Sequence, residues 1–238
     1  MIRHIPNTLT LLNLVCGFAA TVCALKGYNE YASFFIIAGM LLDFSDGFAA
    51  RLLKAYSDIG KDLDSLADVV TFGVAPGAIV LNLLTAGGMN ATPAFVFAAL
   101  LPAASALRLA KFNNDETQST SFRGMATPAS AFTVISVVLA SVYSDSIMFD
   151  RMAGSPAAIA ILAVFLAVMM LLNMRMFSLK IAGLGWKGNE DRYIFAGLSL
   201  LLLVLFRVAA LPMIMAAYII ISLLFNLIRG RGASAGTA

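Results

Sequence analysis

The sequence predicts an all-α, polytopic membrane helix bundle of about eight transmembrane helices, and its composition and its long apolar blocks both indicate this. Of 238 residues, 61% are hydrophobic and only 12% are charged, whereas a soluble domain has about 25% charged residues. The mean hydropathy is +0.90. The apolar residues come in blocks long enough to cross a bilayer as helices, and not in the short alternating segments of a transmembrane barrel.

The apolar blocks predict eight spans in chain order, separated by polar or Gly/Pro-rich segments. They cover approximately residues 7–26, 31–53, 62–84, 93–112, 126–144, 155–174, 192–207 and 210–228. The connection from Arg207 to Pro212 is short, so we expect the last two spans to form a tight hairpin. A tail rich in Gly, Ala and Ser follows Arg229.

The distribution of basic residues predicts the orientation of this bundle. Thirteen of the 16 Lys and Arg residues fall on one side of the eight-span arrangement, and only Lys26, Arg151 and Arg207 fall on the other. By the positive-inside rule, both ends of the chain then face the cytoplasm. The net charge of +3 is small, so nucleic acid is not an expected partner.

The most informative feature is a set of acidic residues at the cytoplasmic ends of spans two and three. There are four of them: Asp43, Asp46, Asp64 and Asp68. A carboxylate inside a membrane costs roughly 2.5–3.5 kcal/mol on insertion scales, so such residues are rare and usually functional. The first two are three positions apart and the last two are four apart, so each pair shares one face of its helix.

Two facing acidic stripes indicate a metal site, because converging carboxylates repel each other unless cations neutralise them. Hard oxygen ligands suit magnesium, manganese or calcium, and four carboxylates are enough for two cations in a phosphoryl displacement. Gly47 and Gly60 leave room for a phosphate or nucleotide, and Arg51 and Lys61 can pair with phosphate. The alternative is that the acids pair with nearby basic residues as charges at helix ends.

The spacing of these residues resembles a known signature. The pattern Asp-x-x-Asp-Gly-x-x-Ala-Arg, eight residues, then Gly-x-x-x-Asp-x-x-x-Asp is similar to that of the CDP-alcohol phosphatidyltransferases. Its positions are filled by Asp43, Asp46, Gly47, Ala50, Arg51, Gly60, Asp64 and Asp68. The resemblance implies two divalent cations, Mg²⁺ or Mn²⁺, held by the four aspartates beside a CDP-linked lipid. It also implies that Asp68 deprotonates the acceptor alcohol, and that the protein is a homodimer.

Three further segments resemble one branch of that family, the CDP-diacylglycerol–serine O-phosphatidyltransferases. They are residues 5–17, residues 64–76, and residues 107–113 with 122–128. The implied reaction transfers the phosphatidyl group from CDP-diacylglycerol to L-serine, giving phosphatidylserine and CMP. The resemblance covers residues 1–182 as a six-helix core, followed by an additional hairpin, 183–228, and a short tail, 229–238.

Candidate substrate-binding residues fall into two groups. Asn7, Thr10 and Asn13 recur every three residues on the first span and can hydrogen-bond the cytidine or its phosphates, although Asn7 or Thr8 could simply cap the helix. With them, the residues expected to bind the CDP-lipid are Gly47, Ala50, Arg51, Gly60 and Lys61.

The second group is expected to bind the acceptor. Serine carries a carboxylate and an ammonium group, so its pocket needs a cation and polar partners. The candidates, at the ends of spans four and five, are Arg108, Lys111, Asn113 and Arg123. Each of the three cations is alternatively an ordinary positive-inside anchor.

Other functions stay open at this point. The acceptor could be glycerol 3-phosphate or an inositol phosphate, since a phosphorylated alcohol also needs converging cations. An intramembrane prenyltransferase would need a second acidic cluster, and the sequence has none. An ion transporter would need carboxylates along its path, and spans five to eight contain none. We expect a bacterial inner membrane protein whose active site faces the cytoplasm.

Overall fold

The computed structural model describes residues 4–54, 57–114, 124–174, 176 and 189–234, and within them helices are the only regular secondary structure. The α-helices are α1 Ile5–Leu25, α2 Asn29–Leu52, α3 Asp58–Val69, α4 Ala75–Ala86, α5 Ala91–Asn114, α6 Thr127–Tyr143, α7 Ile147–Ala153, α8 Pro156–Leu171, α9 Glu190–Phe206 and α10 Ala210–Ser234. A π-helical turn, Val70–Val74, joins α3 to α4, and a 3-10 turn, Arg207–Ala209, joins α9 to α10. The predicted fold class, an all-α bundle, is confirmed.

Among the described residues, five helical runs are long and apolar enough to cross a membrane. They are Ile5–Leu25, Asn29–Leu52, Ile59–Ala86, Ala91–Asn114 and Arg192–Leu224. A sixth candidate appears if α7 and α8, which meet at an angle of 78°, form one broken span. Helix α6 is apolar but shorter. The chain is therefore a polytopic membrane protein, whereas the expected number of eight spans is not confirmed.

Helices α1 and α2 form a hairpin that packs against the run containing α3, the π-helical turn and α4. The hairpin turns at Gly27, whose φ of +85° is a conformation that other residues rarely adopt. Gly17 of α1 lies against the π-helical turn, because a Cβ atom built on it would be 2.7 Å from the Cα atom of Thr71. Only a glycine at this position lets the two backbones approach so closely.

The core of the bundle lies where α4, α5, α6 and α8 meet. Its largest fully buried side chains include Phe72, Ile79, Leu101, Ile135 and Leu166. Most of its other members are alanine, which lets apolar helices pack closely without relying on exclusion of water between them. This packing fixes the direction in which α3 and α5 approach the end of the bundle that carries the acidic residues.

Helix α8 begins at Pro156, where Ser155 caps it by accepting a hydrogen bond from the Ala158 amide at 3.4 Å. The predicted start of the sixth span at residue 155 therefore agrees with the structure. The seven-residue α7 before it was not predicted. It lies at 78° to α8, too short to cross a membrane by itself.

The chain reverses direction between α9 and α10. The ring centroids of Phe195 and Tyr218 are 6.2 Å apart, whereas residues 23 positions apart on a straight helix would be separated by about 34 Å. The reversal occurs at Arg207, which has a φ of +49°. The helical run Arg192–Leu224 is thus folded into two arms, and α10 packs against α6.

Candidate metal and substrate site

Two adjacent helix ends carry the acidic residues. Helix α2 continues through Asp43 and Asp46 to Leu52, and α3 begins at Asp58 after a short connection. Ser57 starts α3 as its N-cap, since its Oγ accepts a hydrogen bond from the Gly60 amide at 3.0 Å. Because this cap fixes where α3 starts, it also fixes the direction in which Asp64 and Asp68 point.

Three carboxylates from these helices converge. One carboxylate oxygen from each of Asp43, Asp64 and Asp68 lies within 4.8 Å of the other two, and we refer to these three residues as the carboxylate group. Asp68 is buried, with 8% of its surface exposed, and its Oδ1 has no hydrogen-bond partner. Leaving a buried carboxylate oxygen without a partner is costly, so this atom is suited to bind a cation or a proton.

The fourth aspartate, Asp46, has a different partner. Its Oδ2 accepts a hydrogen bond of 2.6 Å from the hydroxyl of Thr10, and both side chains are buried. The expectation that all four carboxylates converge is thus met by three, with Asp46 beside them and turned toward α1. The bond also links α1 to α2 at the level of the site.

The carboxylate group fits a divalent cation. Magnesium binds oxygen at 2.0–2.1 Å, so two ligands of one ion are at most about 4.2 Å apart. Oxygens that already lie within 4.8 Å of one another reach this geometry by side-chain shifts of less than an ångström. Carboxylate oxygens are also the ligand type that magnesium and manganese prefer.

The residues expected to bind the CDP-lipid occupy different environments. Nothing lies within 4 Å of a Cβ atom built on Gly47, so the space beside it is open. A Cβ on Gly60 would be 3.2 Å from Oδ1 of Asn7, so α1 and α3 meet there. Ala50 is half-buried on α2. The basic residues Arg51 and Lys61 are exposed.

Asn13 lies deeper than the other members of this set. It is fully buried, and neither atom of its amide has a hydrogen-bond partner. A Cβ atom built on Gly39 would be 2.8 Å from its Oδ1, so Asn13 faces α2 one helical turn before Asp43. Its backbone carbonyl accepts a hydrogen bond of 3.0 Å from Thr71.

The residues expected to bind the acceptor lie mainly on α5. Arg108 is buried, with 8% exposed, its Nε has no hydrogen-bond partner, and its charge is within electrostatic range of Asp68. The side-chain amide of Asn113 donates a hydrogen bond of 2.8 Å to the Ser65 hydroxyl, and its backbone carbonyl accepts one of 3.1 Å from Lys61. Lys111 is exposed. Arg123 lies outside the described residues.

Two features of the site were not predicted from the sequence. Ser65, which follows Asp64, contacts α5 through Asn113, and a serine inside an acidic stripe gives no separate signal. Tyr218 of α10 lies within electrostatic range of Arg108. Tyr218 belongs to no motif and is far from the acidic residues in the sequence, so only the folded chain relates it to the site.

Known proteins match the part of the chain that builds this site. A family model described as CDP-alcohol phosphatidyltransferase matches residues 3–183. This range contains the carboxylate group, Asp46 and Arg108, and it ends before α9 and α10.

Curated relatives match more than half of the chain. The chain is 36% identical over 148 residues to a CDP-diacylglycerol–serine O-phosphatidyltransferase of Bacillus subtilis, covering 61% of this chain and 80% of that protein. It is 39% identical over 145 residues to one of Mycobacterium leprae, covering 58% and 47% of the two chains. It is 34% identical over 166 residues to one of Saccharomyces cerevisiae, covering 62% and 57%. The chain thus spans four fifths of the first relative but only about half of the other two.

Proposed function

The chain belongs to the CDP-alcohol phosphatidyltransferase family, and from this premise we propose that it transfers the phosphatidyl group of CDP-diacylglycerol to L-serine. The serine hydroxyl oxygen forms a bond to the phosphorus that carries diacylglycerol. The bond from that phosphorus to the bridging oxygen of the pyrophosphate breaks, so the products are phosphatidylserine and CMP. The choice of serine follows the three relatives described above, each of which is named for serine transfer.

The convergence of Asp43, Asp64 and Asp68 is the single observation that carries this proposal. Three carboxylate oxygens within 4.8 Å of one another, from two helices at one end of a membrane bundle, are suited to bind the cations that accompany a pyrophosphate. When bound, two divalent cations, Mg²⁺ or Mn²⁺, would neutralise charge on the pyrophosphate. The ligands proposed for them are these three aspartates together with Asp46.

Asp68 is proposed as the general base. Within the described part of the chain, its Oδ1 receives no hydrogen bond, so it can accept the proton that leaves the serine hydroxyl during attack. Asp43 and Asp64 lie beside it and share the role of holding cations. The bond from Thr10 holds Asp46 in place beside these three residues.

The proposed path of the CDP-lipid runs between α1, α2 and α3. The open space beside Gly47 admits the pyrophosphate, and the contact of Gly60 with Asn7 provides a polar amide for the cytidine end. The remaining residues proposed to line this path are Thr10, Asn13, Ala50, Arg51 and Lys61. Arg51 and Lys61 are exposed, so they attract the anionic headgroup without having to be desolvated first.

The proposed acceptor pocket lies next to Asp68 on the side of α5. Arg108 supplies a buried cation for the serine carboxylate, since its Nε has no hydrogen-bond partner among the described residues and its charge lies near Asp68. Asn113 supplies a polar group that Ser65 holds in place. Lys111 and Arg123 complete the proposed set and contribute positive potential at the entrance.

The proposed setting is a bacterial inner membrane with the site on the cytoplasmic side, as the distribution of basic residues favours. Residues 1–182 form the proposed transferase core, 183–228 an additional hairpin, and 229–238 a tail. A homodimer is proposed from the family resemblance alone, and native mass spectrometry of the protein in detergent would test it.

CMP release by the purified protein in detergent tests the proposed reaction. The assay contains CDP-diacylglycerol and Mg²⁺ or Mn²⁺, with L-serine, glycerol 3-phosphate, inositol phosphate or no acceptor. We expect release only with serine, and loss of release when a chelator is added. Release with a phosphorylated alcohol instead would keep the reaction type and overturn the acceptor. No release with any acceptor would favour an ion transporter.

A further inference from the structure

The C-terminal hairpin is built into the bundle although it lies beyond the residues that the family model matches. Met215 and Ile219 of α10 are buried in the same core as α6 and α8. Tyr218 lies between them in sequence and packs against this core. Its ring centroid is 6.2 Å from that of Phe195 of α9. Packing on both sides fixes the direction in which the Tyr218 hydroxyl points.

Arg108 of α5 has an environment that a purely structural arginine would not have. More than nine tenths of its surface is buried, and its Nε has no hydrogen-bond partner. Two groups lie within its electrostatic range, the carboxylate of Asp68 and the hydroxyl of Tyr218. A buried guanidinium normally satisfies its donors, so the unpartnered Nε indicates that a ligand completes this environment.

The chemistry of that ligand follows from these neighbours. A guanidinium binds a planar carboxylate through two parallel hydrogen bonds, and a phenol hydroxyl can donate a further one to the same oxygens. Asp68, the other group within electrostatic range of Arg108, is the proposed base, so it needs the ligand to present a hydroxyl group. An alcohol that also carries a carboxylate meets both requirements, since its carboxylate binds Arg108 and its hydroxyl faces Asp68.

We infer that Tyr218 is a specificity-determining residue, whose hydroxyl acts with Arg108 to bind the carboxylate of the acceptor amino alcohol. This inference rests on the proposed function. It assigns the C-terminal hairpin a part in the acceptor pocket, next to the core that carries the carboxylate group. A pocket built to hydrogen-bond a carboxylate would discriminate strongly against alcohols that lack one, because its buried donors would be left unpaired.

The test removes only the hydroxyl, with the substitution Tyr218→Phe. Tyr143→Phe is the matched control, because the Tyr143 hydroxyl bonds Glu30 near the start of α2, about 24 Å along that helix from Asp46. We expect the KM for L-serine to rise about tenfold in Tyr218→Phe, equivalent to about 1.4 kcal/mol. The KM for CDP-diacylglycerol, kcat and the unfolding temperature should stay within experimental error of the wild-type values. Tyr143→Phe should match the wild type throughout.

Each other outcome overturns the inference in a distinguishable way. An unchanged KM for serine in Tyr218→Phe would show that the hydroxyl does not contact the acceptor. An equal rise in both KM values, or a lower unfolding temperature, would assign Tyr218 to packing alone. If the wild type releases no CMP with serine, the proposed function fails and this inference fails with it.

Discussion

Thr10 donates a hydrogen bond of 2.6 Å to Oδ2 of Asp46, and this bond joins the first helix to the second beside the carboxylate group. The two side chains are buried, so little water competes for the bond. It accounts for the position of Asp46 beside, and not within, the group of three carboxylates that converge. It also gives α1 a direct influence on the acidic site.

The bond between Thr10 and Asp46 predicts a graded response to substitution. Thr10→Val removes the donor and keeps the shape, and a hydrogen bond to a charged group contributes about 1.5–3 kcal/mol. We expect kcat/KM for CDP-diacylglycerol to fall tenfold or more, as a CMP-release assay would measure, and Thr10→Ser to restore most of it. Thr8→Val is the control, because the exposed Thr8 hydroxyl bonds only the His4 carbonyl. Equal losses in Thr8→Val and Thr10→Val would contradict the prediction.

Asp68→Asn should abolish turnover without unfolding the protein. The substitution keeps the size of the side chain and removes its ability to take a proton, and general-base catalysis typically contributes about 10²–10⁴-fold. We therefore expect the rate of CMP release to fall by at least a hundredfold while the unfolding temperature is maintained. Asp150→Asn, at an exposed position on α7, should behave as the wild type. Near-normal activity in Asp68→Asn would remove this residue from the mechanism.

Divalent cations should stabilise the folded protein even without substrate. An ion that binds the carboxylate group relieves repulsion among Asp43, Asp64 and Asp68, and it binds only the folded state. At a hundredfold excess over Kd, the stabilisation is about 2.7 kcal/mol, which a thermal unfolding assay in detergent detects as a higher unfolding temperature.

A pair of neighbouring variants locates that effect. Asp64→Asn should lose most of the temperature rise with Mg²⁺ or Mn²⁺, whereas Asp62→Asn, two positions earlier and exposed, should keep it. An identical rise in both variants would mean that the ions bind elsewhere on the protein.

Gly17→Ala should destabilise the bundle. The new methyl group would lie 2.4 Å from Oγ1 and 2.7 Å from Cα of Thr71, so the backbone of the π-helical turn has to move. Overpacking of this kind costs about 1–3 kcal/mol, so we expect a lower unfolding temperature. Gly197→Ala on α9 is the control, because nothing lies within 4 Å of the added methyl group. A lower temperature in the control as well would point to a general intolerance of larger side chains.

The convergence of Asp43, Asp64 and Asp68 could be predicted from the sequence because their spacing matches the period of a helix. Residues four positions apart on α3 share one face, and Asp64 and Asp68 do meet Asp43. Residues three positions apart differ by about 60° around a helix, so Asp43 and Asp46 need not point to one spot. Which of them turns toward Thr10 depends on how α1 packs, and spacing within α2 contains no information about that.

Other parts of the fold had no local signal. Helix α7 is short and lies at 78° to α8, an angle set by tertiary packing. The electrostatic interaction between Tyr218 and Arg108 joins residues about 110 positions apart, and Tyr218 looks like any other aromatic residue in an apolar helix. Periodicity predicts which face of a helix is apolar, but it does not predict which neighbour covers that face.

The π-helical turn at Val70–Val74 begins two residues after Asp68, and it separates the acidic part of one helical run from the closely packed part. In a regular α-helix each added residue rotates everything beyond it by about 100°. The wide turn absorbs one such rotation, so the acidic face before it and the closely packed face formed by Gly73 within it and Gly77 after it are set independently. Deleting one residue here would turn one face away from its partners while the other stayed in place. In this segment the number of residues therefore constrains the chain more strongly than their identity.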